Sequence, residues 1–277
     1  MAGILYLVAT PIGNLEDITL RAIKILENVD VIAAEDTRHT LKLLNHLEIT
    51  KPLISYHRHN EEVKSEQIIQ KLKSGENVAL VSDAGTPVIS DPGEEIVKIA
   101  IQENIKIIPI PGACALINAL IASGLDTKEF AFYGFLSTNK KLKKQKLEEI
   151  KKERKTSIIY EAPHKLLETL KNIEEIFENR KIVIARELTK IHEEFINGTA
   201  TEILEKYTSP KGEHIILIEG NKNEENINNI FNSMTIEEHY KYYEKDGLSK
   251  NEIIKKIAKD REVTKNEIYK CFIKDKK

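Results

Sequence analysis

The sequence predicts an α/β protein, and three observations support that prediction. Short apolar runs alternate with segments of helical periodicity through most of the 277 residues, which is the pattern of parallel strands joined by helical crossovers. Hydrophobic residues make up 41% of the chain and charged residues 31%, which allows a large buried core and excludes a disordered or collagen-like protein. Polar clusters follow several apolar runs, at the strand ends where open α/β sheets bind ligands.

The first predicted domain covers residues 1–136. Its predicted strands are residues 4–9, 29–34, 53–56, 78–81, 105–108 and 130–135. The helix between the first two strands packs Leu20, Ile23 and Leu26 on one face. Asn60 is expected to cap a helix that ends at Gly75, and Asp91 to cap the helix that follows the fourth strand.

A second α/β domain is predicted over residues 137–221. It contains expected strands at 157–160, 182–185 and 215–218, a further one near Phe195, and a helix over 163–177. Residues 138–156 carry nine Lys or Arg and three Glu, so this stretch is locally basic and marks a domain boundary or an exposed helix.

The last segment, residues 235–277, has a purely helical pattern. Ser249 with Glu252, and Thr264 with Glu267, form two capping-box signatures that each open a short helix. Two such helices predict a helix-turn-helix-like tail. Residues 246–277 hold ten basic and six acidic side chains, and this modest charge leaves RNA contact and a solvated tail both open.

Composition also bounds the environment and the partners. The formal net charge is −2, so any nucleic-acid binding must come from local basic patches. Two cysteines are too few for a disulfide framework or a cysteine-rich zinc site, which fits a reducing cytosol, and no metal site is expected. The start of the chain has no signal-peptide pattern, and prolines interrupt the uncharged stretch 107–125, so we expect a cytoplasmic protein without a membrane span.

Two loops with small residues favour a small-molecule cofactor. One runs over residues 82–93 and contains Asp83 and Gly85, and the other runs over residues 110–115. Small side chains let the backbone approach a ligand closely. The chain has neither a P-loop motif nor a Gly-x-Gly-x-x-Gly motif after its first strand, which argues against ATP hydrolysis and an ordinary dinucleotide fold.

Five motifs in order resemble those of the ribosomal RNA methyltransferases of the tetrapyrrole methylase superfamily. They are LYLVATPIGNLEDI at 5–18, AAEDTRHT at 33–40, HNE at 59–61, LVSDAGTP at 80–87 and ARELTK at 185–190. The methylases of tetrapyrroles commonly have Gly-Asp-Pro in the fourth motif, whereas this chain has Gly85-Thr86-Pro87. That departure favours the RNA branch over a tetrapyrrole substrate.

The resemblance implies a methyltransferase with two α/β domains, usually a homodimer, that holds S-adenosylmethionine in the cleft between the domains. The implied reaction is 2′-O-methylation of a cytidine ribose in the decoding region of 16S rRNA, with the RNA or the small ribosomal subunit as partner. By analogy with the superfamily, the residues implied in cofactor binding are Pro11, Asp83, Ala84, Gly85, Val88, Ala113 and Cys114.

Transfer to a ribose hydroxyl benefits from a general base, which must be a carboxylate or a neutral imidazole. The candidates are Asp36, His59, Glu61, Asp83 and Glu187, with His59 and Asp36 preferred. Each of these two also has a structural interpretation, since His59 can orient its neighbour Asn60 and Asp36 can cap the helix that starts near Thr37.

Basic side chains near the motifs suit phosphate contacts. The candidate RNA-binding residues are Arg38, Arg186, Lys190, His164 and Lys165. Ion pairs with Glu35 or Glu187 are the structural alternative for the first three. The sequence leaves two other functions open: a tetrapyrrole-type or other small-molecule methylase, and a non-catalytic RNA-binding protein.

Overall fold

The computed structural model describes residues 1–177, 179–221, 231, 234–245, 248–261 and 263–274, with the side chains of 272–274 left out. The described chain forms two compact units, Met1–Glu219 and Gly220–Lys277. The first unit contains two five-stranded sheets and the second is helical. The α/β prediction is confirmed.

The first sheet is entirely parallel, with strand order β3-β2-β4-β1-β5. Its strands are β1 (Ile4–Val8), β2 (Val31–Ala34), β3 (Leu53–Ser55), β4 (Val78–Val81) and β5 (Lys106–Ile110). The helices around it are α1 (Leu20–Asn28), α2 (Thr37–His46), α3 (Glu61–Lys73) and α4 (Glu94–Gln102). Every residue of β2 and β4 is buried, because apolar clusters cover both faces of the sheet.

The second sheet is mixed, with strand order β6-β7-β10-β8-β9. Its strands are β6 (Phe130–Phe135), β7 (Thr156–Glu161), β8 (Ile182–Arg186), β9 (Glu194–Gly198) and β10 (His214–Ile218). The helices are α5 (Ala115–Ala122), α6 (Lys140–Lys151), α7 (Pro163–Phe177) and α8 (Ala200–Lys206). Only β6 and β7 pair in parallel. The expectation of parallel strands throughout is wrong here, since a short turn rather than a helix joins β8 to β9.

Strand β6 was expected to end the first half of the chain, and the structure places it in the second sheet instead. The reason lies in α5, whose Leu116 and Leu120 pack in one apolar cluster with Ile158 and Leu217 of the second sheet. The chain therefore crosses between the sheets before β6 begins. The domain limits at residues 136 and 221 stay predictions.

Two expected helix caps differ in the structure. Asn60 precedes α3, but its side chain does not cap the helix, because Oδ1 accepts a hydrogen bond from the His57 amide at 2.8 Å. Asp91 does not cap α4, which begins after Gly93. Gly93 has φ 138°, and a Cβ there would lie 2.8 Å from atoms of both Leu80 and Val88. The chain thus needs glycine at this point, and Asp91 is left for another role.

The second unit contains α9 (Ile236–Glu244), α10 (Lys250–Asp260) and α11 (Lys265–Lys274). Both expected capping pairs are present, since Glu252 bonds Ser249 and Glu267 accepts from the Thr264 amide at 2.7 Å. Its core contains Phe231, Tyr243, Ile253, Ile257 and Ile268. Of the predicted basic tail, residues 246–247, 262 and 275–277 lie outside the described residues.

Among the described residues, no helix has the length and apolar character needed to cross a bilayer. The uncharged stretch 107–125 forms most of β5, a turn and α5.

Candidate active site

A cavity of about 440 Å³ lies in the first unit, where loops from the two sheets face each other. One side is formed by Ile12, Glu35, Asp83, Gly85 and Cys114, which follow strands of the first sheet. The other side is formed by Phe135, Tyr160, Ala185, Leu188 and His214 of the second sheet and its loops. This volume falls in the range of small-molecule sites, and its position matches the ligand site of open parallel sheets.

Three loops of the first sheet are bonded to one another at the cavity. Thr10 and Gly85 exchange both backbone hydrogen bonds, at 2.9 and 3.0 Å, and so join the loop after β1 to the loop after β4. The Thr86 hydroxyl donates to the carbonyl of Ala113 at 3.0 Å and joins the third loop. The small-residue loops singled out in the sequence therefore form one rim.

On the first-sheet side, the carboxylates of Glu35, Asp83 and Asp91 line the cavity, while Glu161 and Glu213 line it from the second-sheet side. Burial, together with the charge of Glu35, raises the pKa of Asp91 to about 6. Burial and the Asp83 charge also raise the pKa of Glu35. Asp83 Oδ1 accepts the backbone N–H of Asp36 at 2.9 Å, which fixes its side chain. Mutual repulsion in a partly dry site makes this arrangement suited to a cationic ligand.

The loop between β4 and α4 carries unusual backbone conformations. Val88 and Ser90 have φ values of 77° and 67°, and a β-branched residue such as Val88 rarely adopts this region. The Arg58 guanidinium donates a hydrogen bond to the Ser90 carbonyl. Such conformations cluster at functional sites, where the surrounding structure imposes them.

An aromatic wall stands on the second-sheet side of the cavity. Tyr160 packs edge-on against Phe132 and Phe135, with ring centroids 4.8 and 5.6 Å away. Burial raises the pKa of Tyr160, so its phenol stays neutral. This wall offers an apolar surface opposite the carboxylates of the first-sheet side.

His214 completes the second-sheet side. Its Nε2 lies 2.7 Å from the Tyr207 hydroxyl, and the side chain is buried. Burial, together with the positive charge of Arg186, lowers the pKa of His214 to about 4. His214 is therefore a neutral imidazole at physiological pH and adds no charge to the cavity.

Comparison with known proteins assigns the chain to a family. Residues 4–204 match the model of the Tetrapyrrole (Corrin/Porphyrin) Methylases. A Bacillus subtilis protein named ribosomal RNA small subunit methyltransferase I is 51% identical over 274 residues, which cover 98% of this chain and 94% of that protein. The chain belongs to the tetrapyrrole methylase family. Like the relatives that it matches, it is a methyltransferase.

Solved structures of tetrapyrrole methylases and their relatives share the fold of this chain. Diphthine synthase superposes with a TM-score of 0.61 at 16% identity, over 79% of this chain and 90% of that one. Uroporphyrin-III C-methyltransferase from Thermus thermophilus, complexed with S-adenosyl homocysteine, superposes with a TM-score of 0.58 at 15% identity, over 78% and 97% of the two chains.

The cofactor residues implied by the methylase resemblance fall close together. Asp83, Ala84, Gly85 and Cys114 line the cavity. Pro11, Val88 and Ala113 lie beside lining residues in the same three loops but do not line the cavity themselves. Their assignment to the cofactor stays a prediction.

Of the five candidate bases in this methylase, Asp83 alone lines the cavity. His59 is exposed, and Glu61 accepts the Gly93 N–H at 2.9 Å. Asp36 caps α2 and pairs with Arg38, whose hydrogen bonds lower the pKa of Asp36 to about 2, so it is a weak proton acceptor. The structural interpretation of Asp36 as a cap is confirmed.

Glu187 lies outside the cavity lining and is engaged elsewhere. Its Oε1 accepts from Lys190 Nζ and from the Glu213 amide, each at 3.0 Å. Partial burial works in the opposite direction, yet these hydrogen bonds leave the pKa of Glu187 below its usual value. A carboxylate held in this way is a poor base at neutral pH.

The candidate RNA-binding cations are partly engaged in ion pairs. Arg38 pairs with Asp36, and Arg186 Nη1 lies 3.2 Å from Glu194. Lys190 pairs with Glu187, as its structural alternative predicted, and also with Glu213. His164 is exposed and Lys165 half-buried, and both follow the cavity residue Pro163.

Sequence reasoning missed several cavity residues, chiefly Glu35, Asp91, Tyr160 and His214. A signal existed for Glu35, which follows β2 directly just as Asp83 lies at the end of β4. Asp91 was missed as a cavity residue because its sequence pattern predicts a helix cap. Tyr160 and His214 come from the second sheet, and no local pattern brings them to the first.

Within the described residues, no group of three or more His, Cys, Asp or Glu side chains is arranged to hold a metal ion.

Proposed function

We propose that this chain transfers the methyl group of S-adenosylmethionine to the ribose 2′ oxygen of a cytidine in 16S rRNA. The observation that carries this proposal is the carboxylate-lined cavity at the strand ends, in a chain 51% identical to a protein named ribosomal RNA small subunit methyltransferase I. The Gly85-Thr86-Pro87 sequence favours the RNA substrate over a tetrapyrrole. The cytidine and its place in the decoding region follow from the resemblance.

The cavity suits this cofactor in size and charge. S-adenosylmethionine carries a sulfonium and an ammonium group, and the carboxylates of Glu35, Asp83 and Asp91 supply opposite charge at one side of the cavity. The Tyr160 and Phe135 rings give an adenine ring a surface to pack on. The Gly85 backbone, at φ 83°, would lie against the ligand without a side chain in the way.

When bound, the cofactor supplies an activated methyl group to an incoming oxygen nucleophile. The protein holds the reacting atoms in line, and such positioning is worth several kcal/mol, about 7 or more in the best cases. Asp83 is the proposed proton acceptor, because Oδ1 is held by the Asp36 amide while Oδ2 has no such bond among the described residues. The remaining carboxylates orient the cationic ligand.

The RNA is proposed to approach along the basic surface of the second sheet's helices. Phe135 lines the cavity, and α6, with exposed Lys140, Lys141 and Lys144, begins five residues later. His164, Lys165, Arg186, Lys190 and Arg38 stay candidates for phosphate contacts. We further propose a homodimer that acts in the cytoplasm, where small ribosomal subunits are located.

The decisive experiment supplies methyl-labelled S-adenosylmethionine and small ribosomal subunits from cells that lack the activity. Label is expected in 16S rRNA as 2′-O-methylcytidine after nuclease digestion. A second reaction offers a cyclic tetrapyrrole in place of the subunits. Label in the tetrapyrrole and none in RNA would overturn the proposed substrate and favour a small-molecule methylase.

A further inference from the structure

Two hydrogen bonds fix the loop that carries Asp91, one on each side of this residue, and we call this pair of bonds the bracket. The loop between β3 and α3 contributes Arg58, whose guanidinium donates to the carbonyl of Ser90. The first residue of α3, Glu61, accepts the backbone N–H of Gly93 at Oε1, 2.9 Å away. Ser90 and Gly93 stand on either side of Asp91 and Pro92. The bracketed Asp91 lines the cavity.

The backbone conformation of residues 88–93 is not the one that these residues would adopt by local preference alone. Val88 and Ser90 occupy the left-handed region, and Gly93 has φ 138°. Left-handed conformations are unfavourable for a residue with a side chain, because its Cβ crowds the following carbonyl oxygen. The Gly93 N–H also stands at the start of α4, where no side chain of the loop itself caps the helix. The carboxylate of Glu61 satisfies this donor in place of a local cap.

The loop that supplies the bracket is itself fixed. Asn60 Oδ1 accepts the His57 N–H at 2.8 Å, and its Nδ2 donates to the Ser55 carbonyl at 3.3 Å. Tyr56, fully buried, bonds the Ser65 hydroxyl at 3.0 Å. Glu61 and Arg58 therefore extend from a rigid support.

We propose that Glu61 and Arg58 are positioning residues that hold Asp91 in the cavity for cofactor binding. This inference rests on the proposed cofactor. It gives a role to the motif at 59–61, whose residues do not line the cavity. Glu61 acts through a hydrogen-bond acceptor at Oε1, so glutamine, which keeps an oxygen there, preserves the function, and alanine does not. Arg58 is exposed and contributes less.

The test measures S-adenosylmethionine binding to the full-length chain by isothermal titration calorimetry. Glu61→Ala is expected to weaken binding about tenfold, Arg58→Ala about threefold, and Glu61→Gln less than twofold. Glu62→Ala is the matched control, since Glu62 is the next residue of α3 and is exposed. Its affinity should equal that of the wild type. Circular dichroism melting verifies that each variant is folded at the assay temperature.

Steady-state kinetics gives a second readout. Because Glu61 positions a binding residue, Glu61→Ala should raise KM for S-adenosylmethionine about tenfold while kcat at saturation falls less than threefold. Glu61→Gln should restore KM.

Unchanged affinity in Glu61→Ala, or Glu61→Gln binding as weakly as Glu61→Ala, would overturn the positioning role even if the wild type binds the cofactor normally. If Glu61→Ala does not fold, the affinity of Arg58→Ala for S-adenosylmethionine is the deciding measurement. An affinity equal to that of the wild type would then overturn the positioning role. Absence of binding by the wild type would overturn the proposed cofactor and the inference with it.

Discussion

Asp91 is a residue whose charge destabilises the fold but suits a cationic ligand. Its carboxyl lies in the cavity near Glu35 and Asp83, and its pKa of about 6 shows that the charged form is disfavoured there. Above that pH the protein must nevertheless hold the charge. A bound cation would relieve this repulsion, which is why such residues are typical of binding sites.

We expect Asp91→Asn to stabilise the protein and weaken cofactor binding. The folded pKa of Asp91 is raised above the unfolded value of 3.8, so the ionised group destabilises the fold at pH above about 6. Asparagine removes that charge, and the free energy of unfolding at pH 8 should rise by about 1 kcal/mol once partial exposure is allowed for. Denaturation in urea measures the gain and calorimetry the loss of affinity. Glu129→Gln, at an exposed site, should change neither.

Cofactor affinity should fall as the pH drops through 6. Protonation of Asp91 removes a negative charge that a cationic ligand requires, so the dissociation constant should be lowest near pH 7 and rise up to tenfold per pH unit well below 6. His214 does not obscure this window, because its pKa is about 4. Calorimetry from pH 5 to 8 in buffers of different ionisation enthalpy also detects the released proton. A flat profile would contradict the assignment of Asp91.

At the scale of elements, the sequence predicts what is decided locally. Strands β4 and β6 and helix α7 have the predicted bounds, because continuous apolar runs and helical periodicity mark them. The antiparallel pairing of β8, β9 and β10 was missed, since direction in a sheet depends on connections and partners far away in sequence. The prediction that β6 belongs with the strands of the first sheet was wrong for the same reason.

The candidate site, like the fold, could be predicted from the sequence only in part. The loops with Asp83, Gly85 and Cys114 were found because small residues follow apolar runs, and these loops do line the cavity. The preferred bases His59 and Asp36 do not line it, because residue type alone carries no distance. The pattern Asp-Pro-Gly-Glu predicts Asp91 as a helix cap, but in the structure the Gly93 N–H at the start of α4 donates to the Glu61 carboxylate instead.

The β4–α4 loop should be intolerant of a side chain at Gly93. Gly93→Ala adds a Cβ 2.8 Å from Leu80 and Val88 at a φ of 138°, and should destabilise the protein by about 2–4 kcal/mol and weaken cofactor binding. Gly124→Ala is the matched control, since φ there is also positive, at 68°, but nothing lies within 4 Å of the added Cβ. It should cost about 1 kcal/mol and leave binding unchanged. Equal effects of the two variants in melting and calorimetry would show that backbone conformation, not crowding, limits this loop.

Although the net charge is only −2, the protein carries local groups of charge of both signs. The carboxylates of Glu35, Asp83 and Asp91 line the cavity, and exposed lysines lie on α6 of the first unit and on α10 of the second. A small cationic cofactor and a polyanionic RNA need opposite fields, so one chain can bind both only where the two sets are kept apart.

The helical unit should contribute to RNA binding without affecting the cofactor. Lys255 and Lys259 lie one turn apart on α10 and are exposed, opposite the buried Ile253 and Ile257. Charge reversal of both, Lys255→Glu with Lys259→Glu, should weaken binding to 16S rRNA or small subunits at least tenfold and reduce the slope of log affinity against log salt by about one to two. Affinity for S-adenosylmethionine should stay within twofold of the wild type. Lys106→Glu is the control, because Lys106 is exposed at the start of β5, at the end of the first sheet away from the cavity. If the double variant binds RNA as tightly as this control, the helical unit is not an RNA-binding surface and the contacts must come from the basic residues of the first unit.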